Sequence, residues 1–237
     1  MTSLVRQFGG VRAVDDVTFA VASDEMRCII GPNGCGKTTV FNLITGYLPP
    51  TSGSVRFLGR DLLGLPLHEI ARAGIVRKFQ VPSVFPDLSV QANVEAACYA
   101  RGRRVAAARP HEIGRLMAMT RLDGLRHKAA GTLAHGQKQW LELAMVLATS
   151  PLLILLDEPA AGMTRAEKTE TVRLLHEIRA ETQVSALVIE HDMSFVEALE
   201  CPVSVMMMGR MVAEGSFAKI RSDPQVREAY LGPAHGA

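Results

Sequence analysis

Polar and apolar positions alternate in AVDDVTFAV (13–21), and a short apolar run, MRCII (26–30), then stops at a glycine. The alternation predicts a half-buried strand, and the bounded run predicts a strand covered on both faces. SGSVRFLGRDL (52–62) has the pattern of short strands with glycine turns, and GIVRKFQ (74–80) that of a strand stopping at Gln80, before Pro82. Between them, TTVFNLITGYL (38–48) predicts a helix ended by Gly46 or by Pro49-Pro50. The period changes from Ser83 to Ser150. Apolar residues take helical spacing in SVQANVEAACYA and HEIGRLMAMTRL, and Trp140, Leu143, Ala144 and Leu147 share one helix face. Alternating blocks return after Pro151. LLILL reads as a strand halted by Asp157-Glu158, and Thr164 with Glu167 forms a T-x-x-E capping box before a helix from Arg165 to about Ala180. VSALVIE predicts a strand ending at His191, and VSVMMMGRMVAEG a strand pair. The layout is an α/β sheet domain over 1–82 and 151–237, interrupted by a helical insert over 83–150.

The totals narrow the class. The 237 residues are 48% hydrophobic and 21% charged, with a formal net charge of +2. That balance suits a soluble globular protein and gives no support for nucleic acid as a partner. No apolar run reaches the roughly 18 residues of a membrane helix, and the N-terminus lacks the apolar segment of a secretory signal. Cys28, Cys35, Cys98 and Cys201 form no CxxC pair, as expected of buried thiols in a reducing compartment. Arg101, Arg103, Arg104 and Arg109 read as a solvated basic run, and Met206–Met208 as part of a buried strand.

Gly31-Pro32-Asn33-Gly34-Cys35-Gly36-Lys37-Thr38-Thr39 fits G-x-x-x-x-G-K-[ST], after a predicted strand and opening a predicted helix. In that setting backbone N–H groups wrap phosphates, Lys37 bridges the β- and γ-phosphates, and the Thr38 hydroxyl holds Mg²⁺. Asp157, at the carboxyl end of a buried strand, meets Mg²⁺ directly or through water, and Glu158 beside it orients or deprotonates an attacking water. Gln80 and His191 also follow apolar strands and are expected at the same sheet edge. Gln80 would complete the Mg²⁺ or water shell, and His191 would donate to the γ-phosphate.

Phosphate loop, Gln80, LAHGQ (133–137), LLILLDEP (152–159) and His191, in that order, resemble the nucleotide-binding subunit of ATP-binding cassette transporters. The resemblance covers nearly the whole chain. It implies a P-loop NTPase core with a parallel sheet, an antiparallel β subdomain near the N-terminus and an inserted helical subdomain. It implies a head-to-tail dimer, with the same or a different ATPase subunit. Each ATP would lie between one chain's phosphate loop and the partner's Ala134, His135, Gly136 and Gln137, with adenine on Phe8. It further implies two integral-membrane permease subunits docked near Gln80 and the insert, an external solute-binding protein, and a cytoplasmic position on the inner face of the membrane. A carboxylate introduced by Gly136→Asp should then clash with the partner's γ-phosphate and block closure of the dimer.

The chain departs from the family pattern. Ala134 and His135 stand where the usual LSGGQ has serine and glycine, and Thr164 stands where an aspartate is common. Only seven residues precede Phe8, so the family's first strand is expected to be very short. Within the family, RKFQ, HGQKQWLE and GMT look most like urea importers, with branched-chain amino acid importers as the alternative reading. A soluble cassette ATPase acting on ribosomes or DNA fits less well, since there is one phosphate loop and an insert too short for a coiled coil.

Overall fold

A computed structural model describes residues 1–78, 83–99, 109–224 and 226–227 of the chain. Strands β1 (Thr2–Phe8) and β2 (Val11–Val17) precede β3 (Met26–Ile30), a glycine loop and α1 (Lys37–Ile44). Short strands β4 (Ser52–Ser54), β5 (Arg56–Phe57) and β6 (Arg60–Asp61) lead to α2 (Leu67–Ala73) and β7 (Ile75–Lys78). Three helices follow, with no intervening strand among the described residues: α3 (Val90–Tyr99), α4 (Arg109–Met119) and α5 (His135–Ala148). The chain continues through β8 (Leu153–Asp157), α6 (Arg165–Thr182), β9 (Ser185–Ile189), α7 (Met193–Ala198), β10 (Val203–Met207), β11 (Arg210–Gly215) and α8 (Phe217–Ser222).

The central sheet runs β11–β10–β3–β9–β8–β7, parallel throughout except for β11. A second sheet, β2–β1–β4, is antiparallel. Successive side chains of a strand point to opposite faces, so the central strands feed two cores. Ile29, Leu153, Leu155, Leu187 and Ile189 pack with α1, through Val40 and Phe41, and with the antiparallel sheet, through Leu4 and Val14. Cys28, Ile30, Ile154, Leu156 and Val188 pack instead on the face that carries Val94, Leu141, Ala144, Leu175 and Phe195. Burying a side chain such as Phe41 contributes about 1.5–3 kcal/mol. The sandwiched sheet is what holds its carboxyl edge still.

Several expectations are met and a few are corrected. The capping box is formed: Thr164 Oγ1 accepts from the Glu167 amide at 3.3 Å, and Glu167 Oε2 accepts from the Thr164 amide at 2.8 Å. The last strand pair is the antiparallel hairpin β10–β11. β1 is not very short, however. It spans 7 residues and pairs with both β2 and β4, which lets so short an N-terminus hold a full strand. Of the two ends expected for the first helix, the earlier holds: α1 ends at Ile44, capped by Thr45, whose hydroxyl donates back to the Phe41 carbonyl at 2.9 Å. Gly46 follows in the left-handed region at φ 73°. All four cysteines are buried thiols. Among the described residues no helix is long and apolar enough to cross a membrane. Gln80, Arg101, Arg103 and Arg104 lie outside the described residues.

Candidate functional site

The loop between β3 and α1 is built so that only glycine fits at two places. Gly36 caps α1 with φ 112°, a left-handed conformation, and a Cβ there would lie 2.2 Å from the Ala13 carbonyl oxygen. A Cβ on Gly31 would lie 2.1 Å from the Met206 carbonyl oxygen. The loop therefore rests directly on the backbones of β2 and β10, and the Gly209 amide donates to the Cys35 carbonyl at 2.9 Å. Lys37 is buried, and its Nζ donates to the carbonyls of Gly31 (2.7 Å) and Pro32 (2.9 Å). Asn33, Gly34 and Thr38 are exposed, Pro32 and Thr39 partly so, and Cys35 is buried. No side chain caps the first turn of α1, so its amides face outward and attract an anion.

β9 lies between β3 and β8, which sets the phosphate loop and Asp157 about 10 Å apart at the usual strand spacing. Asp157 is buried at the end of β8, and Arg77 Nη2 donates to its Oδ2 at 2.5 Å. Arg77 is fixed in turn by Asn42 Oδ1 at 2.5 Å and by the Phe41 ring, 5.5 Å from its guanidinium. Glu158 has φ 49°, strain of order 1–3 kcal/mol for a residue with a side chain, and its amide donates to the Ile189 carbonyl at 2.9 Å. The bend turns its carboxylate towards His191, whose Nδ1 is 3.5 Å from Glu158 Oε1. Glu158 and His191 thus meet, as expected from their strand ends.

Sequence reasoning missed two residues here. Glu190, 1% exposed, accepts from the amides of Ala160 (3.0 Å), His191 (3.0 Å) and Asp192 (3.4 Å). One carboxylate so ties the turn after Glu158 to the turn carrying His191. Burial pushes its pKa above the ordinary 4.5, against the pull of those three amides. Arg77, the partner of Asp157, was the other. Both sit inside runs read only as strands, and the signal was a charge at a position that should have been apolar.

The LAHGQ segment forms the first turn of α5. Ala134 is its N-cap and has no side-chain oxygen, so only Gln137 acts: its Oε1 accepts from the Ala134 amide at 3.1 Å. Of the amides that a capping serine would serve, that of Gly136 faces the Glu167 carboxylate of the same chain. His135 Nε2 lies 3.0 Å from the Ala161 carbonyl and packs against Gly162, so this departure from the family pattern fastens the helix to the loop after Glu158. Gly136 also has a close neighbour in its own chain. A Cβ there would lie 2.5 Å from Glu167 Oε1 of the same chain. Gly136→Asp therefore sets carboxylate against carboxylate within one subunit. We expect it to lose about 1–3 kcal/mol of stability without any nucleotide, measured by denaturant unfolding, with partial recovery on adding Glu167→Gln. An unchanged midpoint would remove the intrachain contact from the account.

Phe8 ends β1, 43% exposed, with the Arg6 guanidinium 4.5 Å from its ring centroid on one face. Among the described residues no three acidic, histidine or cysteine side chains gather as a metal cage. One buried carboxylate, Asp157, and one exposed hydroxyl, Thr38, instead suit a Mg²⁺ ion that arrives with phosphate oxygens of its own.

A family model described as ABC transporter matches residues 14–161, from β2 past Glu158. The chain belongs to the ATP-binding cassette transporter family. A second model, for the branched-chain amino acid ATP-binding cassette transporter, matches residues 210–233 of the cassette. The high-affinity branched-chain amino acid transport ATP-binding protein BraF of Pseudomonas aeruginosa is 36% identical over 251 residues, 99% of this chain and 97% of its own. The corresponding LivG protein of Escherichia coli K12 is 35% identical over 248 residues, again 99% and 97%. The lipopolysaccharide export system protein LptB of Escherichia coli K12 is 32% identical over 230 residues, 97% of this chain and 95% of its own. Among solved structures, an ATP-binding cassette of an ABC transporter in its ADP conformation superposes with TM-score 0.85 at 29% identity, covering 98% of this chain and 97% of that one. A nucleotide-free cassette gives 0.84 at 29% identity, with 98% of each chain covered. The cassette is an ATPase domain with the α/β fold of this family.

Proposed function

We propose that the cassette is the ATPase subunit of an importer of branched-chain amino acids. It would sit on the cytoplasmic face of the membrane against two permease subunits, fed by an external binding protein. The observation that supports this is the match of residues 210–233 to the branched-chain model, beyond the general cassette region, together with relatives similar along their whole length. The sequence patterns had placed urea first. None of these relatives supports urea, so the order of the two solutes is reversed. No residue of this chain is assigned to the solute, and LptB, an export protein, shows how little the cassette itself needs to differ with cargo.

In this reading the loop amides and the first turn of α1 hold the phosphates, and Lys37 leaves the Gly31 and Pro32 carbonyls to reach them. Adenine lies on the face of Phe8 not covered by Arg6. Thr38 and Asp157, with Gln80, would hold Mg²⁺, which would supply positive charge against the phosphate oxygens. Glu158 takes the proton of the attacking water, and His191 keeps that carboxylate turned inward while donating to the γ-phosphate. The amides of α5, with Ala134, His135, Gly136 and Gln137, meet the γ-phosphate of a second ATPase subunit, so ATP closes the dimer and hydrolysis opens it. The helical unit, 83–150, is the part that turns during closure.

The test uses membranes holding the whole complex. Leucine-loaded binding protein should stimulate ATP hydrolysis severalfold and urea-loaded protein should not. Stimulation by urea alone would restore the other solute.

A further inference from the structure

The described ends of the chain on either side of residues 79–82 converge on one carboxylate. Lys78, at the end of β7, is 2% exposed, and its Nζ lies 3.1 Å from Glu142 Oε2. The Ser83 amide donates to the other oxygen, Glu142 Oε1, at 3.1 Å. Lys78 also donates to Gln139 Oε1. Gln139 and Glu142 are buried on α5, and with His135 they fall at i, i+4 and i+7, one stripe of the helix. Gln139 Nε2 lies 3.5 Å from His135 Nε2, which in turn meets the Ala161 carbonyl at 3.0 Å. The hydrogen-bonded line from Lys78 and Ser83 thus reaches Glu142 and Gln139 on α5. His135 Nε2, which donates to the Ala161 carbonyl, separately ties the first turn of that helix to the loop that follows Glu158.

A charge pair this deep is a poor choice for stability alone. Desolvating both ions offsets most of their attraction, and an apolar pair of similar size often serves as well or better. Burial also lowers the Lys78 pKa, with Glu142 and Asp157 pulling the other way. What the ions supply is geometry, since one carboxylate fixes two separate points of the chain.

We propose that Glu142 is a positioning residue of the ATPase cycle: by holding Lys78 and Ser83 together it ties the flanks of residues 79–82 to the helix whose first turn carries His135 and Gly136. Glu142 thereby sets where the end of β7 and the Ser83 backbone stand against α5. The inference rests on the proposed site, in which α5 and Glu158 act in one hydrolysis step.

The decisive variant is Lys78→Met with Glu142→Leu, assayed in the full transporter complex. As an apolar pair it should keep or raise the unfolding midpoint and leave ATP affinity unchanged. The kcat should fall about tenfold with little change in KM, the scale on which residues touching neither ligand modulate coupling. A variant of normal or raised stability with a kcat within twofold of wild type would reduce the cluster to packing and overturn the proposal. If the double variant fails to fold, Glu142→Gln decides, since it keeps shape and one acceptor oxygen. A fall in its kcat at unchanged ATP affinity supports the role, and an unchanged kcat removes it. Glu158→Gln run in parallel separates the two levels: should that variant retain turnover, the site reading fails, whatever Glu142 does.

Discussion

Replacing Glu158 with glutamine is expected to cut ATP turnover about a hundredfold or more while ATP still binds. The substitution keeps the side chain's size and the strained backbone at φ 49°, held by the Glu158 amide on Ile189. What it removes is the ability to take a proton 3.5 Å from His191. Nucleotide contacts are untouched, because the phosphate loop is two strands away, so the dissociation constant for ATP should not move. Steady-state hydrolysis by the assembled complex and equilibrium binding of ATP measure the two quantities. Turnover within threefold of wild type would take the base role away from Glu158.

Lys37→Ala should produce the opposite pattern. The ammonium donates to two loop carbonyls without nucleotide and is placed to exchange them for phosphate oxygens. Each charged hydrogen bond is worth about 1.5–3 kcal/mol, so ATP affinity should fall about tenfold to a hundredfold. Because Gly31 and Pro32 also lose their donor, the nucleotide-free protein should unfold at a lower temperature, which Glu158→Gln should not show. Calorimetry on the nucleotide-free protein and ATP titration of both variants make the comparison. Equal ATP affinity in the two would contradict the division of roles.

The parts of this site legible in the sequence were those whose signal is local. The phosphate loop announces itself because glycine is demanded wherever a Cβ would strike backbone, as at Gly31 and Gly36. Asp157-Glu158 and His191 were legible because each lies at the polar end of an apolar run of the length of a buried strand. The sheet order, with β9 between β3 and β8, was not legible, since strand neighbours depend on crossovers that leave no local mark. Nor were the partners of buried charges. Arg77 with Asp157, and Lys78 with Glu142, lie 80 and 64 positions apart, and only the folded chain brings them together. Gly136 shows the same limit: its intrachain neighbour, Glu167 on α6, lies 31 positions away and left no mark in the sequence.

The Arg77–Asp157 pair bears on the order in which the cassette is loaded. An acid already neutralised at 2.5 Å by a buried guanidinium offers a free divalent cation little to hold. In the proposed reading the triphosphate would bring the negative charge that Asp157 already shares with Arg77, so metal and nucleotide would enter as one complex. Free divalent cation would then compete little with the fuel, and cargo-loaded binding protein, not the ambient metal level, would set when a cycle begins.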